Sequence, residues 1–288
     1  MPGKYQISSA DILSYYKVIW WGRRKKAGPN FLGVGPGRAG TSFLHYMLEQ
    51  SDDVYLPPRK ELNFFGINQK YPLGKQTGLG WSWADYERLF LLSSSERYVG
   101  EISPVYLEHP GALEGIAEYK DDMKIIVTLR EPLERVISQF RHFSNVHKYD
   151  DIESYLEAGF SELTNETVKA RDWSAPGKNL RQSLYYDDLN RAFRLFGRDN
   201  VSVLIYADLA YDPLRWVRKL EAFFGIRLEG VQVDRRVNAS RATNVCLSED
   251  IRAHCRSFFQ EDVAKTSELI GDKLIQKWQG LALDLCAF

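Results

Sequence analysis

Cysteine is scarce in this chain: three in 288 residues, Cys246, Cys255 and Cys286, all late. An odd, clustered set with no C-x-x-C spacing gives neither a disulfide framework nor a zinc-ligand pattern. A reducing, cytoplasmic compartment is the simpler expectation. Net charge is missing as well, because 38 Lys plus Arg balance 38 Asp plus Glu. That balance argues against wholesale nucleic-acid binding, while leaving room for a local basic cleft. No stretch approaches the roughly 18 apolar residues that span a bilayer. No secretory leader is visible, since the first basic cluster follows the first apolar run instead of preceding it. Repeats and low-complexity tracts are absent. The five histidines are scattered, so no metal site is expected.

What is present suits a sizeable core: 44% of residues are hydrophobic. We expect an N-terminal helical extension over 1–29 and a single domain over 30–288. In the extension Ile12, Tyr15, Tyr16 and Ile19 share a helical face, and Trp20, Trp21 and the cations Arg23 to Lys26 follow. The preferred reading is a helix packed on the domain with its cations at the C-terminal end. The alternative is an interfacial helix making peripheral contact with anionic lipid.

Short β-like runs alternate with helical periodicity along the rest, which predicts an α/β fold with a parallel β-sheet flanked by helices. Strands are expected at Asn30–Gly35, Tyr98–Ile102, Lys124–Leu129 and Val201–Tyr206. Helices are expected at Thr41–Gln50, from Pro132 with Leu133, Val136, Ile137 and Phe140 buried, and over Asn179–Phe196 as one long element. A further helix runs to Phe224 with Asp212 as its N-cap, and the chain is helical again from about Ser248. Asn68–Ser82 reads as a surface loop and Tyr149–Gly177 as a polar insertion with short helical patches.

Between the first strand and first helix lies Gly35-Pro36-Gly37-Arg38-Ala39-Gly40-Thr41-Ser42. The glycine spacing is that of a nucleoside-triphosphate P-loop, G-x-x-x-x-G-K-[ST], but Thr41 occupies the lysine position. A glycine-rich turn that opens a helix exposes backbone N–H groups and a partial positive charge, so it binds an anion of phosphate type. Thr41 and Ser42 add hydroxyl donors. A Mg-nucleotide enzyme also needs a carboxylate at a neighbouring strand end. Here Lys124–Leu129 ends in Arg130. Arginine repels a metal and presents a planar fork to a second phosphate. The site is therefore expected to be built from cations, for a nucleotide with two separate anionic groups.

These segments resemble the sulfotransferases that use 3′-phosphoadenosine-5′-phosphosulfate (PAPS, with product PAP). Their loop has the form G-x-x-[KR]-x-G-T-[ST], matched by Gly35 to Ser42. The stretch Arg130-Glu131-Pro132-Leu133-Glu134-Arg135-Val136-Ile137-Ser138 is similar to their R-[DN]-P-x-x-R-x-x-S. The resemblance implies that Arg130 and Ser138 grip the 3′-phosphate and that Pro36 to Ser42 hold the 5′-phosphosulfate. Arg38 then neutralises charge developing on the leaving phosphate. Lys60-Glu61-Leu62-Asn63-Phe64-Phe65 and Gly100-Glu101-Ile102-Ser103-Pro104-Val105-Tyr106 resemble the carbohydrate, heparan-type branch, in which the glutamate of the first segment is the general base. The segment at Tyr185–Leu189 resembles a later unit of that branch, and Ser240 and Arg241 a late basic loop over the nucleotide.

Three positions depart from that pattern. Glu131 replaces Asp or Asn, Ile102 replaces a lysine that contacts substrate, and no cysteine pair precedes the basic loop. The last two point away from a highly sulfated acceptor and toward a bacterial-type cytoplasmic enzyme. The implied activity is O-sulfation of a small-molecule or saccharide hydroxyl, with PAPS and no metal. Glu61 is the candidate base, with Phe64 and Phe65 expected to reduce its solvation and raise its pKa. Glu101 is the alternative base, at a strand C-terminus where open α/β sheets place their sites. His142 and His147 are candidates for the acceptor cleft, and Trp81, Trp83 and Trp173 for stacking on an acceptor. Arg135 is expected to pair with Glu131 or Glu134. A Mg-ATP kinase and a non-catalytic PAP-binding relative are the alternatives. The missing lysine and strand-end aspartate count against the first, and the joint presence of Arg38 and Glu61 against the second.

Overall fold

The structure, a computed structural model, describes residues 28–66, 82–93, 95–166, 174–233 and 247–283. The N-terminal segment to residue 27, Trp81, Trp173, Ser240, Arg241, Cys246 and Cys286 lie outside the described residues. Five strands form one sheet: β1 (Phe31–Val34), β2 (Val54–Tyr55), β3 (Tyr98–Ile102), β4 (Lys124–Leu129) and β5 (Val201–Ile205). Their order is β2-β3-β1-β4-β5, and every pairing is parallel. Phe31 lies opposite Gly100 on one side and Lys124 on the other.

The described helices are α1 (Thr41–Leu48), α2 (Trp83–Arg88), α3 (Ala112–Tyr119), α4 (Pro132–His142), α5 (Ile152–Thr164), α6 (Pro176–Arg181), α7 (Tyr186–Phe196), α8 (Asp208–Tyr211), α9 (Leu214–Phe224), α10 (Glu249–Ile270) and α11 (Leu274–Leu283). The two central strands are nearly continuous apolar runs because helices cover both faces. Their period of two still sorts the side chains. Leu32, Val34, Ile125, Val127 and Leu129 pack with Leu113 and Ile116 of α3, Leu189 of α7 and Trp278 of α11. Phe31, Ile126 and Leu204 pack with Leu44 and Met47 of α1 and Trp216 and Leu220 of α9. A third cluster joins α4, α5, α6 and α10 through Val136, Leu156, Leu180 and Phe259.

Because all strands run the same way, the residues after β1, β3, β4 and β5 meet at one edge of the sheet. The chain leaves β1, builds β2 and β3 on one side, and crosses to β4 on the other. That reversal is a topological switch point, where open sheets leave a crevice beyond their carboxyl ends. The loop Gly35–Gly40 emerges there.

Two expected features are corrected. The single helix over Asn179–Phe196 is two helices, α6 and α7, broken at 182–185. Asp262 of α10 accepts from Tyr185 N and Tyr186 N at 2.7 and 3.0 Å, supplying acceptors for N–H groups at the start of α7. Asp212 is not a side-chain N-cap. Helix α9 has no side-chain cap bond, and the Asp212 carboxylate pairs with Arg218 instead. The polar stretch from Tyr149 holds a 13-residue helix, α5, capped by Asp151. Ser82, at the end of the expected surface loop, makes a reciprocal capping box with Asp85 at the start of α2.

Candidate active site

The loop after β1 turns sharply, with positive φ at Gly35 (140°), Arg38 (73°) and Gly40 (94°). Two of its carbonyls are held from behind. Arg135 Nη1 donates to Gly37 O at 3.2 Å, and Arg130 Nη1 to Arg38 O at 3.4 Å. Among the described residues, the N–H groups of Gly37, Arg38, Ala39, Gly40 and Thr41 donate to no backbone carbonyl. The carbonyls are thus drawn one way and a run of donors is left at the start of α1, the arrangement that cradles an anion. Thr41 is buried, and Ser42 accepts from Lys60 Nζ at 2.8 Å.

Arg38 reaches across the crevice. Its Nε donates to Ser138 Oγ at 3.1 Å, so α1's loop and the first turns of α4 meet through one guanidinium. Arg130 follows β4 directly and lies over the Tyr206 ring at 4.6 Å. Burial lowers the pKa of Arg38, and neighbouring Arg130 lowers it further, against the opposing pull of Tyr206 and Glu61. Arg141 is likewise lowered by burial and then by Arg130. Packing cations this close has a cost that an anion between them relieves. Among the described residues no group of three or more His, Cys, Asp or Glu is placed to hold a metal.

Arg135 pairs with neither Glu131 nor Glu134, the partners expected for it. It is Arg130 that pairs with Glu134, at 3.1 Å, across one helical turn. Arg135 is fully buried (0% exposed) and binds Ser183 Oγ at 2.7 Å, Asn179 O at 2.6 Å and the Asn179 side-chain oxygen. It points inward from α4 to tie the loop to α6, a partner set that spacing along the helix does not reveal. Tyr185 is buried, and its hydroxyl donates to Arg130 O at 2.8 Å. It therefore supports the backbone of Arg130 from behind.

Lys60 and Glu61 lie at the loop's rim. Lys60 Nζ is 3.2 Å from Glu61 Oε1 while it donates to Ser42, a bridge that sequence reasoning missed although the motif contains it. The Glu61 side chain is 49% exposed. Phe64 and Phe65 do not cover it. They are buried in the core, where Phe64 stacks on Tyr86 at 4.2 Å, because Glu61 and Asn63 adopt positive φ and turn the strap between them. Glu101 is different: 1% exposed, it accepts from four donors and does not line the rim. His142, at the exposed end of α4, feels both Arg38 and Glu61. His147 stacks on Phe140 at 4.5 Å and contacts its carbonyl, so it is packing material. Trp83 stacks on Tyr119 at 5.4 Å in the same sense.

A family model described as "Sulfotransferase domain" matches residues 30–250. The chain belongs to the sulfotransferase family. Among solved structures it is similar to a sulfotransferase from Alicyclobacillus acidocaldarius, 29% identical with a TM-score of 0.71, covering 87% of this chain and 99% of that one. The bacterial neighbour shares the parallel sheet and flanking helices. Among curated proteins, the membrane-associated sulfotransferase kil1 of Dictyostelium discoideum is 30% identical over 138 residues, 48% of this chain and 28% of that protein. Human heparan sulfate glucosamine 3-O-sulfotransferase 5 is 24% identical over 213 residues, 74% of this chain and 58% of that protein. These matches span about a quarter and just over half of the two relatives' lengths. No described helix is long and apolar enough to cross a membrane.

Proposed function

We propose that this chain transfers a sulfuryl group from PAPS to an acceptor hydroxyl on a carbohydrate or natural product, with Glu61 as general base. The observation that carries this is the joining of the N–H cradle to the second motif by the Arg38–Ser138 contact, with Lys60 bridging Ser42 at the start of α1 to Glu61. The donor set fits PAPS, whose phosphates are far enough apart to need two cationic subsites, and PAPS supplies the sulfuryl group when bound. Residues 37–42 would hold the 5′ side, and Arg130 and Ser138 the 3′-phosphate. Tyr185 acts through Arg130. Ser240 and Arg241 retain the covering role that the resemblance implies.

Sulfuryl transfer, like phosphoryl transfer, asks a protein mainly for positioning and charge stabilisation. Arg38 stabilises charge on the leaving phosphate side. Lys60 binds both the loop and Glu61, so it fixes the distance between donor and base. Glu61 accepts the acceptor's proton as its oxygen attacks. A cytoplasmic setting is part of this reading, from the scarcity and spacing of cysteine. Incubation with isotopically labelled PAPS and pools of saccharides, phenols and aliphatic alcohols, read by mass spectrometry, identifies the acceptor. With that acceptor, Glu61→Gln should lower turnover by on the order of 10²–10⁴ and leave PAP affinity nearly unchanged. Near-full activity of Glu61→Gln places the base elsewhere, and His142 is the next group to substitute.

A further inference from the structure

Glu61 and Asn63 both sit in the left-handed region, at φ 61° and 53°. Neither is glycine, and such residues persist only where the surroundings over-determine the backbone. Four successive N–H groups supply that determination. Glu61 N donates to Ile102 O at 3.2 Å, Leu62 N to Glu101 Oε2 at 3.3 Å, Asn63 N to Ser103 Oγ at 3.0 Å and Phe64 N to Tyr106 Oη at 2.6 Å. All four acceptors belong to the end of β3 or the turn after it.

Two of these acceptors are hydroxyls, and Glu101 decides which way they point. Ser103 Oγ donates to Glu101 Oε2 at 2.6 Å and Tyr106 Oη to Glu101 Oε1 at 2.6 Å. Tyr86 Oη adds a bond to Oε1 at 3.1 Å. A carboxylate accepts only, so both hydroxyls must spend their protons on it and turn lone pairs to Asn63 N and Phe64 N. An amide in its place carries two donors. One edge of the hub would then meet another donor, and at least one strap bond would be lost.

We propose that Glu101 is a positioning residue: through Ser103, Tyr106 and Leu62 it locks the 60–64 strap in the conformation that places Glu61 on the rim of the nucleotide loop. This rests on the reading of Glu61 as base. It separates the two glutamates by role, one acting at the acceptor and the other holding the first in place.

The test uses the full chain with PAP bound, and two variants. Glu101→Gln reverses the polarity of the hub. Tyr106→Phe removes one hydroxyl and keeps the ring, so it remains informative if the buried Gln variant folds poorly. Hydrogen exchange of a peptide spanning 60–66 should quicken at least tenfold in both, with peptides from β1 and β4 unchanged. With the identified acceptor, kcat should fall about 10- to 100-fold while PAP affinity stays within about twofold. Adding Glu101→Gln to Glu61→Gln should cost little more than Glu61→Gln alone, because a displaced base and an absent base are equivalent. Unchanged exchange overturns the proposal. So does a fall in PAP affinity parallel to that in kcat, or full multiplication of the two defects. An active Glu61→Gln protein overturns the base assignment and with it the catalytic part of this proposal, whereas an inactive one beside an unaltered Glu101→Gln overturns the positioning role alone.

Discussion

Glu131 shows how one residue's environment can become a measurable property of the protein. It caps α4, its Oε2 accepting from Glu134 N at 2.6 Å, as the shorter Asp or Asn of the resembled motif would at that position. Burial pushes its pKa up to about 7, and the bond from Glu134 N only partly opposes this. A carboxyl raised by folding contributes stability that is complete below its ordinary value near 4.5 and is lost as pH rises through about 7. Asp188, also pushed up to about 7 by burial, has the same sign in the same window. His45 has the opposite sign. Burial and then Lys60 hold it down to about 4, so its share is lost as pH falls from 6.5 through about 4. Calorimetric Tm should therefore decline from pH 5 to pH 8. Glu131→Gln should flatten that decline without abolishing it, since Asp188 remains. Parallel slopes in the two proteins would mean that Glu131 ionises without penalty.

At the scale of the element, the loop before α1 depends on a glycine whose neighbours leave no room. A Cβ on Gly40 would lie 2.9 Å from Tyr206 and 3.0 Å from Trp216, at a φ of 94°. Trp216 cannot yield, because it is fully buried and its Nε1 donates to Ile205 O at 2.9 Å. Tyr206 carries Arg130 on its face. Gly40→Ala should thus cost about 1–3 kcal/mol of stability and weaken PAP binding through a displaced Arg130. Gly37→Ala is the comparison: a Cβ there meets nothing within 4 Å. It should stay within about 0.5 kcal/mol of the parent in a urea melt. Equal losses at both positions would assign the effect to the loop's backbone freedom instead of to crowding at Gly40.

For the molecule as a whole, the site's charge predicts which nucleotide it prefers. The strand ends bring Arg38 and Arg130 together, with Arg141 near Arg130, and Arg130 stands at the strand end where a Mg-nucleotide enzyme carries a carboxylate. PAP at a hundredfold excess over its Kd should stabilise the fold by about 2.7 kcal/mol, a Tm rise of roughly 4–5 °C for a protein of this size. Mg-ATP, which needs a carboxylate for its metal, should raise Tm far less. A thermal shift as large with Mg-ATP as with PAP would favour the kinase reading.

Much of this was legible in the sequence. Apolar runs of strand length, glycines at fixed spacing and a proline at a helix start depend on neighbours along the chain. They located β1, β3, β4, β5, α1 and α4 and marked the loop and Arg130, while Ser138 came in through the resemblance to the sulfotransferase motif. The parallel fold followed from the alternation of those elements. What only the tertiary structure decided depends on residues distant in sequence. The break between α6 and α7 is made by Asp262, 77 residues beyond Tyr185. The partners of Arg135 lie on the loop, on α6 and in the break after it, and Glu134, which spacing offered to it, pairs with Arg130. The two glutamates, each at a plausible position in the sequence, are separated by burial alone. Glu61 sits on a strap turned outward by two left-handed residues, while Glu101 lies beneath it among three hydroxyls, one from α2 and two from the turn after β3. Period and spacing record local geometry, whereas solvation and the direction of a hydrogen bond are set by whatever folding brings alongside.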